Sequence, residues 1–283
     1  MAAKILDGRK ISAEILGQLK ARVVSLKSRG ITPKLDIILV GDNAASEIYV
    51  RAKMKASEET GMKAELHRFG RNAKQEDVIR LIEKLNADRY VHGILVQLPL
   101  PSQMDEQKVL DTITITKDVD GLTTCSLGKL MAGDETFEPC TPKGIMKMLE
   151  HENITVEGKN AVVIGRSNIV GKPLLFMLIK RNATATMCHS KTSNLKDHTK
   201  NADILFAAVG KANFITEDMV KKDAVVIDVG TNRVGSRILG DVDFDRVRNV
   251  ASYITPVPGG IGPMTVAMVL ENAVISAERM LQK

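Results

Sequence analysis

Ala161-Val-Val-Ile164 is an apolar run, and a glycine turn, Gly165-Arg-Ser-Asn-Ile-Val-Gly171, follows it directly. Lys172-Pro173 comes next, then a helical stretch from Leu174 to Arg181 and a second strand from Thr184 to Cys188. Strand, glycine turn, helix and strand in that order commit this part of the chain to a parallel sheet covered by helices. Such a turn lets backbone come close to a pyrophosphate, and the helix behind it offers unpaired N–H groups. The spacing differs from G-x-G-x-x-G, and a glycine loop after a strand can be a turn and nothing more. It is not a Walker loop, because the run to Gly171-Lys172 is one residue too long and Pro173 replaces the Ser or Thr that would hold magnesium.

The end of the second strand decides the cofactor. NAD sites place an Asp or Glu there to accept the ribose hydroxyls. This chain has no acid between Gly165 and Asp197, and Ser190-Lys191-Thr192 occupies the position with groups suited to a 2′-phosphate. The expected cofactor is NADP.

The first half repeats the alternation without repeating the sequence. Ile11, Ile15, Leu19, Val23 and Leu26 recur at helical spacing before Gly30. Leu35 to Val40 reads as a strand, Ala44 to Thr60 as a helix ended by Gly61, Lys63 to Phe69 as a strand, Lys74 to Ala87 as an amphipathic helix, and Val91 to Leu98 as a third strand. Between Lys117 and Pro142, glycines and prolines interrupt the pattern. A helix from Pro142 to Glu152 then leads into the nucleotide unit, further strands are expected at Ile204 to Val209, Ala224 to Val229 and Val250 to Thr255, and a helix runs from Pro263 to about Leu281. The expected fold is α/β with two domains: a three-layer α/β catalytic domain (1–120 and 264–283) and a Rossmann-like NADP-binding domain (140–263), joined by 121–139. The C-terminal helix is expected to pack back on the first domain.

Tyr49 and Lys53 lie four residues apart and share a helix face. Open parallel sheets bind ligands beyond the carboxyl ends of their strands. Gln97 falls at that end of the third strand, before Pro99-Leu100-Pro101, and Asp120 lies in the next loop. An aromatic face, an amine, an amide and a carboxylate can thus meet at one sheet edge. Each residue also has a plainer reading. Lys53, with Arg51 and Lys55, can belong to a solvated basic helix, Tyr49 can be a packing residue, and Asp120 can stabilise the turn before Gly121. Pro256-Val-Pro-Gly-Gly-Ile-Gly-Pro-Met-Thr265 is either a stiff connector or a shaped loop that a ligand approaches closely.

Composition narrows the classes. A net charge of +6 suits small anionic ligands, but no dense Lys/Arg block points to nucleic acid, and aromatics at 3% with no Trp offer no stacking platform. Cys125, Cys140 and Cys188 are odd in number and far apart, which fits a reducing compartment such as the cytoplasm. No metal-binding motif stands out and no metal is expected. The N-terminus lacks an apolar signal core, and no apolar run reaches the ~18 residues of a membrane span, so no membrane partner is expected.

Taken in order along the chain, several segments resemble the bifunctional methylenetetrahydrofolate dehydrogenase/methenyltetrahydrofolate cyclohydrolase family. They are Val40-Gly41 with Ala45-Ser46, Tyr49-Val-Arg-Ala-Lys53, Gly93-Ile-Leu-Val-Gln-Leu-Pro-Leu-Pro101, Lys117-Asp-Val-Asp-Gly121, Pro139-Cys-Thr-Pro142, Gly165-Arg-Ser167 with Ile169-Val-Gly171, Asp228-Val-Gly230 and Pro256 to Thr265. The resemblance implies a catalytic Lys53 partnered by Tyr49 stacking near the folate, Gln97 hydrogen-bonded to the lysine, and Asp120 on the amino-pyrimidine edge of the pterin. It implies a folate-side loop containing Pro258, Gly259 and Gly262. Gly165, Arg166, Ser167 and Ser190 would hold NADP, with Thr231 at its nicotinamide end. Thr231 stands where the family commonly has Ile, and Ile261 where it has Val. The implied partners are a folate, possibly in polyglutamylated form, and a second copy in a homodimer. The chain has no room for the ligase domain of longer relatives, so a stand-alone enzyme is expected. Two other readings remain open on the residues alone: a different two-domain NADP dehydrogenase of small hydroxy or amino acids, such as a shikimate-type enzyme, and an NADP-binding protein without activity.

Overall fold

The structure is a computed structural model that describes residues 2–235 and 237–281. The elements in chain order are β1 (Lys4–Ile5), α1 (Gly8–Ser28), β2 (Lys34–Val40), α2 (Ala44–Thr60), β3 (Lys63–Phe69), α3 (Gln75–Ala87), β4 (Gly93–Val96), α4 (Glu106–Asp111), α5 (Thr124–Ala132) and α6 (Cys140–His151). After these come β5 (Asn160–Ile164), α7 (Gly171–Lys180), β6 (Thr184–Cys188), α8 (Leu195–Lys200), β7 (Ile204–Ala207), β8 (Val225–Asp228), β9 (Asn232–Val234), β10 (Arg237–Leu239), α9 (Phe244–Val247), β11 (Tyr253–Ile254) and α10 (Ile261–Leu281). They form two compact units, one of Ala13–Cys140 with Val266–Lys283 and the other of Met1–Ser12 with Thr141–Thr265.

The first unit has three layers. Its parallel sheet runs β3-β2-β4. Because successive side chains of a strand point to opposite faces, β2 sends Leu35, Ile37 and Leu39 into one core and Ile38 and Val40 into the other. The first core is closed by Leu19 and Val23 of α1, Val50 of α2, and residues 266–277 of α10, so the C-terminal helix belongs to this unit as expected. The second core is closed by Val78, Ile82 and Leu85 of α3 and by Val109 and Leu110 of α4.

A buried lysine locks this second layer. Lys117 is 4% exposed, and its ammonium donates to the carbonyls of Leu85, Asn86 and Asp88 at 2.9, 2.8 and 2.7 Å. The last carbonyls of a helix have no partners within it, and the negative end of the dipole lies there, so one cation satisfies the end of α3. Lys117→Met removes all three bonds and is expected to lower stability by about 3 kcal/mol. A urea midpoint unchanged from wild type would contradict that role.

The second unit carries a six-stranded parallel sheet in the order β1-β11-β8-β7-β5-β6. From β5 the chain moves outward to β6, then returns past β5 to β7. That reversal is the topological switch point, where doubly wound sheets form their ligand crevice.

Two expected boundaries are different in the structure. Residues 1–12 belong to the nucleotide unit, because Lys4–Ile5 pairs with Tyr253–Ile254 and extends its sheet. Two residues give too short a signal to read as a strand. The stretch 121–139, expected as a connection, is part of the first unit and contains α5. Its glycines serve the fold. Gly133 is the left-handed C-cap of α5, and at Gly121 a Cβ would come within 2.5 Å of the Phe137 carbonyl oxygen.

Candidate active site

The helix that bears Lys53 begins at Asn43, whose side-chain oxygen accepts from the N–H groups of Ala45 and Ser46 at 3.0 and 3.1 Å. Helical periodicity buries Ser46, Val50, Lys53, Ser57 and Thr60 along one stripe. Lys53 is 4% exposed, whereas Arg51 and Lys55 face solvent. The three basic residues therefore do not form one solvated face. The Lys53 ammonium donates to Gln97 Oε1 at 2.8 Å, and Gln97 Nε2 donates to the Leu98 carbonyl at 2.9 Å. That second bond fixes which end of the amide meets the lysine. Burial pushes the Lys53 amine below its ordinary value, against the opposing charge of Asp120. Burial pushes the Asp120 carboxyl up, opposed by Lys53. Tyr49, one helical turn before Lys53, is half-buried.

Asp120 owes its position to neighbours that sequence reading passed over. Asp118 is buried and accepts from the N–H groups of Gly121, Leu122 and Thr123 at 3.0, 3.2 and 3.0 Å, which saturates the turn around Asp120. The Val119 carbonyl accepts from Asn272 of α10 at 2.8 Å and from the Cys140 thiol at 3.2 Å. The signal for Asp118 was present as a second acid two residues before Asp120. Asn272 sits in an apolar helix and could be found only from its contacts.

In the nucleotide unit, Gly165 and Gly171 build a cradle from which side chains are excluded. A Cβ on Gly165 would lie 2.2 Å from the Ala208 carbonyl oxygen, and one on Gly171 would lie 2.1 Å from the Gly165 carbonyl oxygen. The turn after β5 is thus pressed against the loop after β7 at the switch point. Arg166, Ser167, Asn168 and Ile169 are exposed above it. Ser167 Oγ accepts from the N–H groups of Val170 and Gly171 at 3.2 and 3.4 Å, which ties the turn to the start of α7. After β6, Ser190 and Lys191 are exposed, while Thr192 Oγ1 is turned inward to accept from the His189 N–H at 2.8 Å. Of the three residues expected to suit a 2′-phosphate, Thr192 is thus engaged with its own turn, whereas Ser190 and Lys191 are open to solvent. An acid-free strand end, a side-chain-free cradle and exposed Arg, Ser and Lys groups fit a phosphorylated dinucleotide.

Thr231 is exposed just past β8. Pro258, Gly259 and Gly262 belong to the nucleotide unit, in contrast to Lys53, Gln97 and Asp120. Gly259 has φ of 113°, a conformation that favours glycine, and its carbonyl accepts from the Arg9 N–H at 3.1 Å. One group with metal-ligand chemistry occurs among the described residues, Asp36, Glu65 and His67 of the first sheet. The Lys34 ammonium already lies 3.3 Å from Asp36 and 2.7 Å from Glu65, which makes this an ion-pair network. Among the described residues, no helix is long and apolar enough to cross a membrane.

A three-layer unit with a buried lysine bonded to a half-buried amide beside a half-buried carboxylate, and a doubly wound unit with a phosphate cradle, define a two-domain α/β dinucleotide-dependent enzyme. Residues 6–120 match the tetrahydrofolate dehydrogenase/cyclohydrolase catalytic domain, and residues 139–281 match the NAD(P)-binding domain of the same family. The chain is 53% identical over 280 residues to the bifunctional protein FolD of Moorella thermoacetica, covering 99% of this chain and 100% of that one. It superposes with a TM-score of 0.96 on the FolD methylenetetrahydrofolate dehydrogenase/cyclohydrolase of Campylobacter jejuni, at 49% identity and with 98% and 99% of the two chains covered. The Trypanosoma brucei enzyme, solved with NADP and an inhibitor, gives a TM-score of 0.97 at 35% identity with full coverage of both chains. The chain belongs to the tetrahydrofolate dehydrogenase/cyclohydrolase family.

Proposed function

We propose that this chain oxidises 5,10-methylenetetrahydrofolate to the 5,10-methenyl form with NADP and then hydrolyses that form to 10-formyltetrahydrofolate. The observation that carries the reading is the buried Lys53 ammonium held 2.8 Å from the Gln97 amide oxygen beside Asp120. NADP, when bound, supplies the acceptor for the hydride. The oxidation needs no strong base, because a ring-nitrogen lone pair of the folate expels the hydride, and the protein's task is to position the donor carbon. Tyr49 supplies a flat apolar surface for the folate, and Asp120 accepts from its amino-pyrimidine edge.

The hydrolysis does need a base. Water adds to the methenyl carbon and loses a proton, and the carbon–nitrogen bond to the ring opens as that nitrogen takes a proton up. A solvated lysine, with a pKa near ~10.4, would be charged and useless as a base at neutral pH. Burial lowers the Lys53 amine towards a useful range, and a cationic substrate beside it acts in the same direction. Gln97 orients the amine without adding an opposite charge that would hold its proton.

Gly165, Arg166, Ser167 and Ser190 hold the cofactor phosphates, and Thr231 meets the nicotinamide end. Pro258, Gly259 and Gly262 form the folate-side loop. Arg166→Ala is expected to weaken NADP by about tenfold, the loss of one charge-assisted bond, with methenyl hydrolysis unchanged. Equal NADP affinity in calorimetry would remove Arg166 from the phosphate site. The hydrolase half is tested by incubating the protein with the methenyl substrate alone. Loss of methenyl absorbance faster than in buffer is expected, and a rate equal to buffer would exclude it. A homodimer in the reducing cytoplasm, acting on polyglutamylated folate, fits the family and three cysteines that are not joined in disulfides.

A further inference from the structure

Two buried carboxylates of the nucleotide unit take no part in the chemistry above. Asp241 is 0% exposed. Its Oδ2 accepts from the N–H groups of Val209 and Gly210 at 2.6 and 3.0 Å, and its Oδ1 accepts from the Lys211 N–H and from Asn232 Nδ2, both at 2.8 Å. Three consecutive backbone N–H groups around a left-handed Gly210, with φ of 68°, form an anion nest of the kind that elsewhere takes a phosphate. Here the occupant is the protein's own carboxylate. The second carboxylate, Asp228, holds the backbone that delivers it. Asp228 Oδ1 accepts from the Asp241 and Gly230 N–H groups, and Oδ2 from the Val242 N–H, all at 2.9 Å. Gly230 makes room, since a Cβ there would lie 2.3 Å from Asp241 Cγ.

The tied segments are not arbitrary. Residues 209–211 follow β7, whose end borders the switch point, and Ala208 is the residue pressed against Gly165. Asn232 directly follows Thr231 and opens β9, just past the end of β8. One side chain therefore fixes two successive strand-end loops at the cofactor crevice. By filling the nest after β7, it leaves the turn after β5 as the crevice's anion site.

We propose that Asp241 is a positioning residue for the cofactor: an internal anion that closes the nest at 209–211 and sets the loops bearing Ala208 and Thr231 in the shape NADP requires. The inference rests on the cofactor reading given above. In Asp241→Asn, an NH2 group must face either the Val209 and Gly210 donors or the Lys211 and Asn232 donors, so at least two bonds are lost. Hydrogen exchange in the cofactor-free protein is expected to be at least about tenfold faster at 209–211 in this variant, and calorimetric NADPH affinity about tenfold weaker. Methenyl hydrolysis without cofactor should be unchanged, since Lys53, Gln97 and Asp120 lie in the other unit. Val247→Ala is the control for general destabilisation, because it hollows the core of the same unit. It should retain NADPH affinity.

Wild-type affinity in Asp241→Asn, or an equal loss in Val247→Ala, would overturn the proposal. Failure of the wild-type protein to bind NADPH would instead overturn the cofactor reading. If Asp241→Asn does not fold, Asn232→Ala decides. It removes one of the four bonds and should weaken NADPH by about threefold, the effect of losing one hydrogen bond, whereas unchanged affinity would overturn the proposal.

Discussion

Replacing Lys53 by Met is expected to slow methenyl hydrolysis by about 10²–10⁴-fold, the usual contribution of a positioned general base, while NADP affinity stays at the wild-type value. Met matches the aliphatic stem and removes only the amine, so the buried stripe of α2 keeps its packing. The Gln97 oxygen then loses its donor, which gives a secondary cost in stability of about 1–3 kcal/mol. In the wild-type enzyme, hydrolysis should rise with pH as the neutral amine forms, and it should do so below the ordinary lysine range because burial lowers that group. The variant should lose this dependence together with the rate. Stopped-flow decay of methenyl absorbance across pH reads both. A variant with near wild-type hydrolysis, or with impaired NADP binding at an intact fold, would remove Lys53 from the proposed role.

The second large effect is expected at Gly165. Alanine there places a Cβ 2.2 Å from the Ala208 carbonyl oxygen, at a φ of 132° that L side chains rarely adopt. Neither obstacle can be relieved by turning a flexible side chain, because both belong to backbone. Gly165→Ala should therefore destabilise the nucleotide unit by about 3 kcal/mol or more and abolish measurable NADP binding. Thermal unfolding and calorimetry test this together. A variant of wild-type melting temperature and affinity would show that the turn does not approach the loop after β7.

These two residues also illustrate what the sequence made legible. Gly165 and Gly171 were visible as a strand–turn–helix signal, although their spacing departs from the general dinucleotide fingerprint. The structure supplies the reason they are glycines, which is backbone pressed on backbone: Gly165 against Ala208, more than forty residues away, and Gly171 against Gly165 within the turn itself. Lys53 was ambiguous by itself, since Arg51 and Lys55 on the same helix read equally well as a solvated face. Burial of the stripe through Ser46, Val50 and Lys53 separates it from them, and that stripe mixes polar and apolar residues too freely to stand out as a periodicity.

The elements that escaped were short or carried by breakers. β1 is a pair of residues whose partner is almost 250 positions away, at Tyr253–Ile254. α5 lies in a segment whose glycines looked like linker punctuation and serve as a cap and a close contact. Asp118, Lys117, Asn272 and Asp241 share one cause. Each is a buried polar group that satisfies backbone, from its own turn in the case of Asp118 and from another part of the chain in the other three, and a sequence does not state which carbonyl or N–H will be left without a partner. The plainer reading of Asp120 as a turn former belongs to Asp118, which makes the turn itself.

A single chain that links an NADP-dependent oxidation to a lysine-assisted hydrolysis should show both activities in one assay. The most direct test follows the purified protein with 5,10-methylenetetrahydrofolate and either NADP or NAD, recording NADPH and methenyl absorbance together. The expected result is NADPH formation with little methenyl accumulation and a clear preference for NADP. Accumulation of the methenyl form, or no turnover with either cofactor, would contradict it.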